Sequence, residues 1–245
     1  MELKSYAAKS HQGPYLQINE DGIDVDLMQK LYMVFDGFGG TNVGDKTVES
    51  LKENIKKFYG KIGGDPDATL PFFYSPKYLL EGNALLNSMH FAHSLLKKEN
   101  QEKPMHERGG ASAMMVAQGD NLVTLAATGN ISAWYYRRGK LQSLVAPDSM
   151  ETLASDSHEK SYYTTPLSAF GLFDELHLRV VEYRPCEGDK LIVMTDGAYA
   201  RLAPDELKYI IEGKSGSDLD RIQEVFHMVN SRGNLDNQTC LLLNF

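Results

Sequence analysis

Apolar positions along the chain fall into two rhythms. Short continuous runs recur at Leu31–Phe35, Ala113–Ala117, Leu122–Ala127, Ala133–Tyr136, Leu191–Met194 and Cys240–Leu243. Each has strand length and is rich in Val, Ile, Leu, Met or aromatic residues. Turn residues separate several of them, notably Gln118-Gly119-Asp120-Asn121 and Arg138-Gly139-Lys140. Consecutive strands joined this tightly predict antiparallel hairpins, because a parallel crossover needs a dozen or more residues.

A helical rhythm replaces the strand rhythm in four places. Val48, Leu51, Ile55 and Phe58 make one apolar stripe, and Leu85, Met89, Ala92 and Leu96 a second. A short helix is predicted to start at Pro204, with Asp205 and Glu206 in the first turn where the helix dipole favours them. Leu219, Ile222, Val225, Phe226 and Val229 form the last stripe, preceded by a Ser217/Asp220 capping pair. The order is strands, two long helices, more strands, two helices and a final strand. It predicts an α+β fold in which helices cover antiparallel sheets. The stretch from Val145 to Phe173 lacks apolar periodicity and is expected to be a long loop or flap. With no linker, repeat or low-complexity tract, residues 1–245 are expected to form a single domain.

Charge narrows the function. The net charge of -8 leaves no concentrated positive face for neutralising phosphates along a nucleic acid. Arg137, Arg138 and Lys140 surround a glycine turn and read as a solvated hairpin tip. Two cysteines, Cys186 and Cys240, cannot build a disulfide framework, so a reducing, cytoplasmic setting is expected. No signal-peptide pattern and no membrane-length apolar run is evident, so no membrane partner is expected.

Carboxylates mark strand ends. Asp36-Gly37 follows the run ending at Phe35, and Asp196-Gly197 follows the run ending at Thr195. Asp236-Asn237 precedes the final strand, and Asn19-Glu20-Asp21-Gly22 lies near the start of the chain. In antiparallel sheets the end of one strand lies beside the start of its neighbour, so these acids can converge on one edge. Converging carboxylates repel unless a cation sits among them. Oxygen-only donor sets suit Mg²⁺ or Mn²⁺. A glycine after the aspartate lets the backbone approach closely. Taken singly, each Asp-Gly reads as a turn, and the set carries the argument.

In this order the motifs resemble those of the metal-dependent Ser/Thr protein phosphatases of type 2C, the PPM family, in a bacterial-like and divergent form. The resemblance runs through Asn19-Glu20-Asp21, Val34-Phe35-Asp36-Gly37-Phe38-Gly39-Gly40, Gly109-Gly110-Ala111-Ser112-Ala113 and Ala127-Thr128-Gly129-Asn130. It continues loosely at Leu167–Gly171, then through Leu191–Gly197 and Asp236-Asn237-Gln238-Thr239, spanning nearly the whole chain. It implies a β-sandwich of two antiparallel sheets flanked by helix pairs, an αββα arrangement. It implies hydrolysis of phosphoserine or phosphothreonine in proteins by a water bridging two Mg²⁺ or Mn²⁺ ions. Asp36, Asp196 and Asp236 would be the catalytic centre. Glu20, Asp21, Asp36, the Gly37 carbonyl, Asp196 and Asp236 would hold the metals. The partner would be a phosphoprotein substrate, opposed to a Ser/Thr kinase in signalling.

Four positions depart from the family pattern. Leu16 stands where many members carry a phosphate-gripping Arg, and Arg108, Arg184 and Lys9 are candidate replacements. Phe38 stands where animal members have His. Asn130 replaces an aspartate that helps hold a third metal, which puts that ion in doubt, since an amide binds hard cations less well than a carboxylate. Leu172 stands where Asp is frequent. The losses at Leu16 and Asn130 support a second expectation, a weak or inactive pseudophosphatase that binds partners without turnover, and the retained metal ligands oppose it.

Other readings are poorer. Gly37-Phe38-Gly39-Gly40 lacks the later glycine and acidic residue of a dinucleotide fingerprint. His90 and His93 could share a helical face without a further His or Cys at a familiar zinc spacing, so they read as a helix-surface or half-buried pair. Met28, Met33, Met89, Met114, Met115 and Met194 read as core filler.

Overall fold

A computed structural model describes residues 2–40, 43–62, 69–156, 159–213 and 216–245; for 151–163 the description is of the backbone alone. Twelve strands and five helices are found among these residues. The first sheet contains β1 (Ser5–His11), β6 (Ser132–Arg137), β7 (Lys140–Val145), β11 (Lys190–Met194) and β12 (Gln238–Asn244), in the order β1-β12-β11-β6-β7. The second contains β2 (Asp21–Asp26), β3 (Leu31–Gly39), β4 (Gly109–Gln118), β5 (Val123–Thr128) and β10 (Arg179–Tyr183), in the order β10-β5-β4-β3-β2. Every pairing is antiparallel.

The apolar runs are continuous because both faces of the central strands are covered. Along β3, Tyr32 and Val34 turn inward to meet Leu191, Val193, Leu241 and Leu243 of the facing sheet. Their neighbours Leu31, Met33 and Phe35 turn outward onto α1 (Gly44–Ile62) and α2 (Leu80–Gln101), against Val48, Leu51, Leu85 and Met89. On the other side, Ile192, Met194 and Leu242 pack on α4 (Pro204–Glu212) and α5 (Asp218–Ser231) through Ile210, Val225 and Val229. Alternate residues of one strand thus serve different layers. The result is the four-layer αββα sandwich.

Local chemistry fixes the element ends. Pro204 opens α4, and the Glu206 carboxylate takes the Ala203 N–H at 2.9 Å. Ser217 caps α5: its hydroxyl accepts the Asp220 N–H at 3.2 Å while Asp220 accepts the Ser217 N–H at 2.7 Å. A four-residue helix, α3 (Asp196–Tyr199), follows β11 directly.

The stretch expected to be a long loop or flap contains regular structure. It contains a hairpin of β8 (Ser149–Asp156) and β9 (Glu159–Pro166), paired to each other alone. Among the described residues, no helix is long and apolar enough to cross a membrane.

Candidate metal centre

The strand order brings the carboxylates of both sheets to one end of the sandwich. In the second sheet, Asp21 at the start of β2 lies directly opposite Asp36 near the end of β3. In the first, Asp196 follows β11 and Asp236 precedes β12, the two strands being neighbours. A buried hydroxyl joins the sheets: Thr195 Oγ1 donates to Asp21 Oδ2 at 2.8 Å. The same oxygen accepts the Thr239 N–H at 2.9 Å, which ties it to β12.

Glycine permits the close approaches. A Cβ on Gly37 would sit 2.6 Å from the Glu20 carbonyl oxygen, and one on Gly197 would sit 1.8 Å from the Asn237 carbonyl oxygen. Gly37 N–H donates to that Glu20 carbonyl at 3.1 Å. The Glu20 carboxylate is turned to α1, where Oε1 accepts the Gly44 N–H at 3.0 Å. Asn237 holds the turn from below. Its side-chain amide donates to the carbonyls of Gln12 at 2.9 Å and Ile18 at 3.0 Å, and its Oδ1 accepts the Glu20 N–H at 2.9 Å.

Asp196 is the most heavily bonded of the set. Oδ1 accepts the Gly197 N–H at 2.8 Å, and Oδ2 accepts Asn130 Nδ2 at 2.9 Å and the Thr164 hydroxyl. Asn130 is therefore more than a missing acid: it donates to a centre carboxylate. Its own Oδ1 is buried with no partner.

The electrostatics follow from crowding. Burial, with the neighbouring charges of Asp196, Asp21 and Asp236, pushes the Asp36 carboxyl well above the usual carboxylate range. Burial does the same to Asp21, against the opposing hydrogen bonds from Thr195 and Thr239. Asp196 is pushed up to about 6 by burial and by Asp236. Asp236 is raised too, its carboxyl packed among protein atoms although the residue as a whole is exposed. Glu20 is raised by burial, partly offset by its bond from Gly44. These acids resist being charged together, and a cation among them reverses that preference.

Among the described residues, no three His, Cys, Asp or Glu side chains are grouped so that they could hold one ion. The donor set is nevertheless of oxygen throughout, with the orphaned Asn130 Oδ1 beside it, which is the chemistry a hard divalent cation requires. All six sequence-predicted positions, Glu20, Asp21, Asp36, Gly37, Asp196 and Asp236, lie at this end of the sandwich.

The other departures group as well. A Cβ on Gly110 would meet the Phe38 ring at 2.7 Å and Leu172 at 2.8 Å, so both apolar side chains flank that glycine. Arg108 Nε donates to the Lys103 carbonyl at 3.0 Å, and Lys9 lies on β1 opposite Cys240. His93 is buried and accepts the Gly171 N–H at 3.2 Å, a structural role.

A cleft of about 300 Å³ opens beside Asp196 and Asp236, lined also by Leu16, Thr164, Leu235 and Arg201. It contains none of the three basic residues weighed as replacements at the sequence level.

Comparison with solved structures defines the class: the chain has the fold of the PPM Ser/Thr phosphatases. PppA, a key regulatory component of T6SS in Pseudomonas aeruginosa, superposes with a TM-score of 0.75 at 21% identity, covering 99% of this chain and 98% of that one. The PPM Ser-Thr phosphatase MsPP from Mycobacterium smegmatis gives 0.74 at 18% identity, with 100% of both chains covered. The catalytic domain of the phosphatase PstP in complex with two manganese ions gives 0.74 at 15% identity, covering 98% of this chain and 97% of that one. At these identities the likeness is one of fold. By sequence, no family model and no curated protein matches the chain.

Proposed function

We propose that this chain is a metal-dependent protein phosphatase that hydrolyses phosphoserine or phosphothreonine. The observation that carries the reading is the gathering of Asp21, Asp36, Asp196 and Asp236, from both sheets, into one end where the charges of Asp21, Asp196 and Asp236 raise the proton affinity of their neighbours. Asp21, Asp36, Asp196, Asp236, Glu20 and the Gly37 carbonyl would hold two Mg²⁺ or Mn²⁺ ions. Such a pair, when bound, lowers the pKa of a water and offsets phosphate charge. The support is the all-oxygen donor set and the fold shared with a manganese-bound phosphatase, rather than a preformed cage.

The remaining residues position this centre. Thr195 and Thr239 orient Asp21, and Asn130 and Thr164 orient Asp196, all through uncharged donors. Uncharged donors leave the carboxylates' negative charge for a cation. The substrate would be a phosphoprotein produced by a Ser/Thr kinase, met in the cytoplasm.

The binding-only reading has its own support. Leu16 lies at the cleft and brings no charge to a phosphate. One structural neighbour, PppA, is described as a regulatory component. Phosphate release from a phosphothreonine peptide, with Mn²⁺ or with EDTA, separates the two. Metal-dependent release that Asp196→Asn abolishes is the expected result. No release, with Mn²⁺ still bound by calorimetry, would leave a binding module.

A further inference from the structure

We propose that Leu16 and Leu235 form a subsite for an aliphatic side chain next to the phosphorylated residue of the substrate; the inference rests on the phosphatase reading and names its substrate class. Both leucines line the cleft of about 300 Å³ whose wall includes Asp196 and Asp236. A peptide whose phosphate reaches that centre lays a flanking residue along the cleft. Leu16 is 41% and Leu235 52% exposed, so both present apolar surface to it. The polar groups of the lining are already bonded within the protein. Thr164 donates to Asp196, and Arg201 Nη1 donates to the Arg232 carbonyl at 2.7 Å. Asn234 Nδ2 donates to the Asp236 carbonyl at 2.8 Å, and its Oδ1 accepts the Asp236 N–H at 3.2 Å. Asp196 and Asp236, as metal ligands, have their charge taken by the cations. A polar neighbour in the substrate would have to displace such bonds or lose its own to water. An aliphatic neighbour displaces only water from the two leucines.

The backbone holds both leucines beside the centre. Leu235 immediately precedes Asp236, and its two neighbours, Asn234 and Asp236, are bonded to each other. Leu16 lies on a segment pinned at two points by one side chain: Asn237 Nδ2 donates to the carbonyls of Gln12 at 2.9 Å and Ile18 at 3.0 Å. Gly13 presses the start of that segment onto the same turn, since a Cβ there would lie 2.2 Å from the Asp236 carbonyl oxygen. A surface fixed in advance loses less conformational freedom on binding than a mobile one.

The test uses the full chain with Mn²⁺ and phosphothreonine peptides that differ only in the residue before or after the phosphothreonine, which is Leu, Ala, Arg or Glu. Wild type, Leu16→Ser, Leu235→Ser and Leu235→Met are compared. The ratio of kcat/KM for Leu over Ala peptides is read within each protein, so that a general loss of turnover cancels. At one of the two positions wild type is expected to prefer Leu over Ala about tenfold, chiefly through KM, and over Arg and Glu by at least as much. Each serine variant is expected to cut that ratio to about threefold or less, and Leu235→Met to keep it, since Met conserves the apolar volume. Leu16→Gln and Leu235→Gln serve where a serine variant fails to fold. A wild-type ratio below about twofold, a preference for Arg or Glu, or a ratio unchanged in the folded polar variants would overturn the subsite and leave the phosphatase reading standing. If wild type turns over none of the peptides, the phosphatase reading fails. Fluorescence polarisation of the labelled peptides then decides the subsite: tighter binding of the Leu peptide, lost in the polar variants, supports it, and equal or undetectable binding overturns it.

Discussion

Thr195 Oγ1 donates to Asp21 Oδ2 at 2.8 Å, a direct link between the two sheets beneath the carboxylate centre. Both residues are buried, and the same oxygen takes the Thr239 N–H. Thr195→Val keeps the shape and removes both bonds. It is expected to cost about 1–3 kcal/mol of stability, the range for stripping partners from buried polar groups. Urea unfolding at neutral pH measures this. A change below about 0.5 kcal/mol would mean that the hydroxyl joins nothing of consequence.

Gly197 is expected to tolerate no side chain. A Cβ there would lie 1.8 Å from the Asn237 carbonyl and 3.2 Å from Asp236 Cβ, so the backbone of the β12 entry would have to move. Gly197→Ala is predicted to lose about 3 kcal/mol, as overpacking against backbone does. Gly188→Ala is the matched control. Its φ is +85° with nothing within 4 Å of the added carbon, so only the left-handed conformation is penalised, by about 1 kcal/mol. Equal melting temperatures for the two variants would remove the steric argument.

The strands with two buried faces were legible because burial writes itself as a continuous apolar run; β3 and β11 are examples. The edge strand β1, Ser5 to His11, is mostly polar and half open, so its sequence resembles a loop. The acids at strand ends were legible as a set, since antiparallel pairing dictates where ends and starts meet. Their supporting residues were not. Thr195 reads as the last residue of an apolar run, and its bond to Asp21 exists only after two sheets stack. Asn130 reads as a lost acid, and its bond to Asp196 depends on the turn after β5 meeting the turn after β11. Side-chain donors reach across distances in sequence that no local pattern encodes.

The two thiols are expected to differ sharply. Cys240 is 1% exposed on β12, and burial pushes its thiol up to about 12, whereas Cys186 is exposed. Thiolate is the reactive form, so a disulfide reagent at pH 8 should label one cysteine per folded chain quickly. The second should react only on denaturation. Two fast thiols in the native protein would contradict the packing of β12 against α5.

His93 should set part of the acid stability. It is 6% exposed on α2; burial first, then the charges of Lys97 and His90, lower its pKa to about 4 from 6.5. Its Nδ1 accepts the Gly171 N–H, so a proton placed on Nδ1 would face another N–H, and the neutral ring fits the site where the charged ring does not. The folded state thus binds this proton less readily than the unfolded chain. The contribution is complete above the unfolded value and is lost as pH falls from about 6.5 towards about 4. The gap between the two values corresponds to about 3 kcal/mol. The raised carboxyls of the centre act in the opposite sense, so the comparison must be made against a variant. His93→Gln retains an acceptor for Gly171 and cannot be protonated. Urea unfolding of both proteins at pH 7 and pH 4.5 should show wild type losing about 2 kcal/mol more than the variant. Parallel losses would mean that the ring takes up its proton without cost, and that the 170–171 segment does not depend on a neutral His93.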